Sequence, residues 1–482
     1  MEGNSKSRLV IYLPWKDFRL TDNPALFWAV DFSIKQNLPF LPIFTMDDGW
    51  AKTDVYNLGY PRRFALSRIL SNFSRSFERF EVLVCEPEDL ILELIKEFEI
   101  YVFLNDDVEP FAIRRHKKIQ NLLQTQGNDQ YFFRFKNELS VSADAKTQNG
   151  NLYSVFTPFK QAVWDEFLDS KVLPKVDLLK IRYYDQNLPV NFEKVKTDPQ
   201  SLFNRLDQKW ILKFAGQSIN LDDWFERPNL ENWIFDEKKA LSQFDQFNQT
   251  HITKYNLFRD DLGVEGTSKM SMALAFGLVS ARTLKDKILQ VHQSPDQSKG
   301  VQTFLSELVW REFYRYILVH FPKVLNKEFQ SKYQKLTWRK DQGGLIRFEK
   351  WIKSQTGYPL VDAAMNQIIK TGWMHNRTRM VVASILTKNL GVDWRWGQEF
   401  FRATLIDLDE ASNNGGWQWS ASVGADPKPI RIFNPYLQAK KYDSQNIYIQ
   451  KWLPQNYNAK PIIEHTQARN EAISRYKLVS SL

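Results

Sequence analysis

Residues 80–106 read FEVLVCEPEDLILELIKEFEIYVFLND. A β-rich run (80–86) passes into a helix-like stretch, PEDLILELIKEF, and a second β-rich run (100–106) follows at once. Further out lie LVIYLPW (9–15), LPFLPIFTM (38–46) and YFFRFK (131–136), with the helix-like PRRFALSRILSNFSRSF (61–77) among them. Strands alternating with helices predict a parallel sheet covered on both faces. No GxGxxG follows the first strand, so residues 1–136 read as a Rossmann-like α/β domain without the usual pyrophosphate turn. Residues 137–210 are polar and irregular and read as a connector. Beyond them strand signals fade. Helical periodicity dominates TFLSELVWREFYRYILVHF (303–321) and YPLVDAAMNQIIKTGWMHNRTRMVVASILTKNL (358–390), which predicts an all-α domain over 211–476.

The 482 residues are 43% apolar and 25% charged, enough for two or three domains with a large core. One cysteine, Cys85, excludes an internal disulfide and a multi-cysteine metal cluster, and fits a reducing compartment. The N-terminal apolar run is too short for a signal peptide and no stretch has the length of a membrane span, so the expectation is a cytoplasmic protein. The net charge of +9 is uneven: residues 1–200 carry −2 and the rest +11. A basic half fits either a polyanionic partner or a solvated basic surface. Eight of the 16 tryptophans lie between Trp310 and Trp419, interleaved with Arg and Lys. That density fits core packing, base stacking or a bound aromatic cofactor.

Five stretches hold candidate chemistry. GTSKMS (266–271) offers Thr267, Ser268 and Ser271 hydroxyls ahead of an apolar helical run, which suits a phosphate or an ordinary helix cap. ELVWREFY (307–314) puts Glu307, Trp310, Arg311 and Tyr314 on one helix face, able to read a nucleobase and its phosphate or to form a surface pair over a core tryptophan. GWMHNRTRM (372–380) puts Asn376, Arg379 and Met380 on one face, with Arg377 pointing elsewhere. LIDLDEASNN brings Asp407 and Asp409 but no companion metal ligands, so hydrogen bonding or arginine pairing suits them better. No nucleophile elbow, Walker loop or HExxH is present. In NNGGWQW (413–419), rigid rings stand beside a backbone able to approach something closely.

In order and spacing, EGTSKMS, ELVWREFYR, TGYPLVDAAM, GWMHNRTRM, DWRWG, NNGGWQW, RIFNP and KWLP resemble the photolyase/cryptochrome family over about 255–476. WKDFRLTDNPAL (15–26) is similar, more loosely, to that family's opening motif. The resemblance implies a flavin adenine dinucleotide (FAD), reduced when active, inside the helical domain. It assigns Tyr255, Thr267, Ser268, Lys269, Met270 and Ser271 to its phosphate side, and Phe304, Trp373, Arg379, Asp407, Asp409 and Asn413 to the rest. Asn413 would lie at the flavin N5, and Gly415 and Gly416 would let the backbone pass close. Lys269 stands where the family usually has arginine, and Phe304 where many relatives have tryptophan. Trp417, Trp394 and Trp338 match an electron-transfer chain running to the surface.

NNGGWQW with Asn376 and Met380 resembles class I photolyases for cyclobutane pyrimidine dimers; photolyases for (6-4) photoproducts place histidines in that pocket. The implied substrate is ultraviolet-damaged DNA, its dimer flipped out between Trp310 and Trp419. Glu307, Asn376, Met380 and Asn413 would carry the catalysis. Arg259, Arg311, Arg377 and Arg431 would grip phosphates. Excited reduced FAD would lend the dimer one electron and recover it, which makes the enzyme a carbon–carbon lyase. The alternative is a blue-light receptor that binds FAD and signals without repair; the absence of a long C-terminal tail favours repair. NDDVEPFAIRR (105–115) resembles relatives that bind a deazaflavin antenna, with a reduced folate the other family choice. The family implies a monomer with no metal.

Overall fold

The computed structural model describes residues 6–47, 58–127, 131–137, 141, 143–206, 209–425 and 430–480. The quoted stretch folds as strand β3 (Glu81–Val84), helix Pro87–Glu97 and strand β4 (Phe98–Asn105). Pro87 opens that helix, where its missing N–H costs nothing, and Glu88 and Asp89 complement the helix dipole. β3 and β4 are not neighbours. With β1 (Ser7–Tyr12), β2 (Phe40–Thr45), β5 (Phe132–Phe135) and β6 (Glu193–Lys194) they form a sheet of order β5-β4-β1-β2-β3-β6. The first five strands run parallel; β6 pairs antiparallel with β3 at the edge. Along β1, Leu9 and Ile11 face one core with Leu90, Leu94 and Ile119, while Val10 and Tyr12 face another with Ala25, Leu26 and Leu66. Burial on both faces is why these strands read as continuous apolar runs.

Two expectations need correction. The connector holds the helices Phe156–Asp169 and Pro199–Leu206 and supplies β6. The helical domain opens on an antiparallel hairpin, β7 (Ile211–Phe214) and β8 (Gln217–Asn220). Its turn puts Ala215 at φ 47° and Gly216 at φ 77°, the left-handed pair that a two-residue hairpin turn demands. Alternation in ILKF and the following Ala-Gly carried that signal. Beyond the hairpin, the named elements among the described residues are helices, and no helix among the described residues is long and apolar enough to cross a membrane.

The stretch WKDFRLTDNPAL fastens the sheet to the helices. Asp17 accepts from Tyr12 Oη (2.7 Å) and the Asn105 amide (2.5 Å) inside the sheet domain. Arg19 Nη1 donates to Gly277 O (3.1 Å), and Asp22 Oδ2 accepts from Ser280 Oγ (2.5 Å) and Arg282 Nε (2.9 Å). These groups are buried, so each satisfies a partner that would otherwise be stranded.

Candidate functional site

Three helices of the second domain supply most of the wall of a cavity of about 490 Å³, within the usual range for small-molecule sites. Helix Lys299–His320 starts where Ser298 Oγ caps Val301 N–H at 3.1 Å. One face buries Leu305, Leu308, Val309 and Phe313; Glu307, Trp310, Arg311 and Tyr314 line the cavity as their spacing predicts. Trp310 is held flat by Phe156, ring centroids 3.6 Å apart and 9° from parallel. Glu307 is ion-paired with Arg259, which also lines the cavity.

Helix Asn376–Ser384 has an uncommon cap. His375 Nδ1 accepts from Arg377 N–H at 3.1 Å. Burial lowers the imidazole to about 4, keeping the ring neutral near pH 7 and Nδ1 free to accept. Asn376, Arg379, Met380 and Ala383 reach the cavity from this helix. Arg377, expected to point elsewhere, reaches it too; Asp260 draws the guanidinium back at 2.6 Å. Arg379 Nη2 meets both Asp407 oxygens (3.0 and 2.8 Å) and its Nε meets Met374 O (2.8 Å).

Helix Glu410–Ser420 contains NNGGWQW. Asp409 caps it through Ser412 N–H (2.8 Å) and pairs with Arg315 (2.6 Å). Burial alone would raise this carboxyl; Arg315 and Arg311 hold it well below the usual range. Asn413 donates to Gln398 O at 3.2 Å. Trp417 lies against Gly397, where an added Cβ would sit 2.1 Å from its ring. Asn414 and Gln418 clamp the preceding loop: both amides donate to Val324 O (2.9 and 2.8 Å), and Gln418 Oε1 accepts from Phe329 N–H at 2.8 Å.

The cavity wall therefore joins Arg259, Ser271, Glu307, Trp310, Arg311, Asn376, Arg377, Arg379, Met380, Asp407, Asp409, Asn413, Trp417 and Trp419 from the expected set. Tyr255, Thr267, Ser268, Lys269, Met270, Phe304, Trp373, Trp338, Trp394 and Arg431 stand outside it. Lys269, in the left-handed region at φ 55°, pairs with Glu265 at 2.6 Å. Tyr255 and Phe304 pack edge to face at 5.2 Å. Sequence reading missed the His375 cap and the Gln418 clamp; Asn376, next in line, looks the better cap.

Residues 10–177 match the DNA photolyase family model, and 304–477 match the FAD binding domain of DNA photolyase. A deoxyribodipyrimidine photo-lyase from Synechococcus is 32% identical over 94% of this chain and 89% of its own length. The chain belongs to the photolyase/cryptochrome family. Among solved structures, a bacterial class III photolyase from Agrobacterium tumefaciens matches all of both chains at TM-score 0.80 and 28% identity. A Synechocystis cryptochrome shares the fold at TM-score 0.81 and 23% identity, covering 98% of this chain and 100% of its own.

In this photolyase-family chain the cavity wall suits FAD. Three of its buried polar atoms, Ser271 Oγ, Asn413 Oδ1 and Trp417 Nε1, have no partner among the described residues, as fits buried groups that face a ligand or ordered water. Gly416 also lines it, and a Cβ there would meet nothing within 4 Å and project into the ligand space. The fixed Arg379 cation suits an anionic, reduced flavin.

Proposed function

We propose that this protein repairs cyclobutane pyrimidine dimers in DNA under blue light, as a cytoplasmic monomer. One observation carries the reading: a single cavity holds both the flavin-type set (Ser271, Arg379, Asp407, Asn413) and an amphipathic set able to take two joined bases of one strand (Glu307, Trp310, Asn376, Met380, Trp419). The name deoxyribodipyrimidine photo-lyase, borne by relatives at 30% identity and above, supports it. FAD, when bound and reduced, supplies the light-driven one-electron donor that opening the cyclobutane ring needs.

The chain does the rest. Ser271, Arg379, Asp407, Asp409 and Asn413 would hold the cofactor; Tyr255, Thr267, Ser268, Lys269, Met270, Phe304 and Trp373 are assigned to it by motif. A dimer stacks and pairs poorly, so drawing it out of the duplex costs less than flipping intact bases. Trp310 and Trp419 offer flat apolar walls, and Met380 a pliable one. The Asn376 amide both donates and accepts, and Glu307, steadied by Arg259, offers carboxylate oxygens to base edges. Arg311 and Arg377, in the cavity wall, and Arg431, exposed outside it, would meet phosphates. The substrate undergoes no net oxidation or reduction, so the reaction is that of a lyase.

Binding in darkness tests the pocket separately from the chemistry. The holoprotein should prefer a dimer-containing oligonucleotide over its undamaged twin by on the order of tenfold or more, because the lesion flips at lower cost. Equal affinity for both would remove the lesion-binding role.

A further inference from the structure

Trp338 and Trp394 donate their indole N–H groups to one and the same atom, Glu328 Oε1, at 3.1 and 3.2 Å. The other oxygen, Oε2, accepts from Arg395 Nη2 at 2.9 Å. All three side chains are buried, Trp394 fully. Guanidinium groups sit over both rings: Arg395 is 4.6 Å from the Trp394 centroid and Arg475 is 5.4 Å from that of Trp338.

A guanidinium over a neutral indole is attractive. Over an indole that has lost an electron it faces a positive charge and repels it. Arg395 and Arg475 alone would thus disfavour oxidation of both rings. A carboxylate at about 3 Å in a buried site opposes that effect strongly. Loss of an electron also makes the indole N–H far more acidic, and here each N–H already points at a base. Burial alone would raise the Glu328 carboxyl, yet Arg395 holds it below its usual value, so it is ionised before any electron moves. Trp417 Nε1, in contrast, is buried and meets no acceptor among the described residues.

The placement of Glu328 is tied to the helix that carries Trp417. Gln418, the next residue, donates to Lys327 O (3.2 Å) and accepts from Phe329 N–H (2.8 Å), bracketing Glu328 on both sides. Gln330 N–H adds a bond to Val423 O at 3.0 Å.

We propose that Glu328 is the shared counter-charge and proton acceptor of the outer tryptophan pair: it compensates the positive charge on whichever indole is oxidised and accepts the Nε1 proton of Trp338. The proposal rests on the reading of Trp417, Trp394 and Trp338 as an electron-transfer chain. The oxidant is photoexcited, oxidised FAD, which gains the electron. The Trp338 N–H bond breaks and a Glu328 O–H bond forms, so the indole becomes a neutral radical and the carboxylate a neutral acid. The proton returns when a thiol reductant from solution restores the indole. With no acceptor for Trp417 Nε1 among the described residues and a shared one on the outer pair, the electron vacancy settles outward.

Flash photolysis of the holoprotein with oxidised FAD reads this directly, because the protonated and deprotonated indole radicals absorb differently. In the unaltered protein the cation band should give way to the neutral-radical band. Glu328→Gln removes the charge and the base but keeps the size; conversion should slow by about tenfold or more. Glu328→Asp, which restores a carboxylate, should recover most of the rate. Glu328→Gln converting at the unaltered rate, with FAD fully bound, would overturn the proposal. Trp394→Phe serves as the control on the chain: it should abolish long-lived radicals whatever residue 328 is. Unchanged radical yield in Trp394→Phe would overturn the chain reading, and the Glu328 role with it.

Discussion

Gly415 and Gly416 are adjacent in NNGGWQW and do different work. A Cβ on Gly415 would lie 2.0 Å from the Tyr314 ring, whereas one on Gly416 would meet nothing and enter the cavity. Gly415→Ala should therefore destabilise the fold by about 1–3 kcal/mol through overpacking, seen as a lower melting temperature. Gly416→Leu should fold normally and leave gel filtration with little FAD; full flavin occupancy would show that the cavity is not the flavin site. Met380→His should keep FAD and lose most repair, since it puts a polar ring into an apolar wall; intact repair by that variant would remove Met380 from the substrate pocket. At this scale the residue types were legible in the motif. Which glycine serves packing and which serves the ligand was not, because that depends on Tyr314, a hundred residues earlier.

Helix Asn376–Ser384 depends on a neutral His375. Its ring sits at about 4 in the fold against an ordinary 6.5. The group's contribution is whole above about pH 6.5 and falls away as the pH drops toward 4, because the unfolded chain binds the proton first. The loss is about 3 kcal/mol at most by linkage. Urea unfolding at pH 7.5 and 4.5 should show that loss, and His375→Asn, which caps without titrating, should shrink it. A pH dependence identical in His375→Asn would place the effect elsewhere. The face joining Glu307, Trp310, Arg311 and Tyr314 was readable because i, i+3, i+4 and i+7 fix it locally. Arg377 was misplaced because Asp260, far away in sequence, sets where its side chain ends. Glu328 gave no local signal at all. It lies in a loop, and its meaning comes from two indoles that tertiary packing brings to it.

In the whole molecule, the parallel sheet was legible because both faces of its centre are buried and its inner strands β1, β2 and β4 are mostly apolar runs. The hairpin at 211–220 and the helix Phe156–Asp169 were not credited to the chain, since short polar-flanked elements weigh little against a long irregular stretch. Phe156 nonetheless supplies the ring behind Trp310, so the connector helps to build the site. The basic excess of +11 beyond residue 200 belongs to the half that carries the cavity. Damaged-DNA affinity should therefore fall steeply and linearly on a log–log plot against salt. A flat salt response would disconnect that charge from DNA.

On the proposed function, cofactor and lesion meet in one cavity and light drives the repair. The most direct measurement is repair of a thymine-dimer oligonucleotide by the anaerobically reduced holoprotein, under blue light and in darkness. Intact thymines should return in the light and not in the dark. Bound, reduced flavin with no repair under illumination would rule out the proposed function.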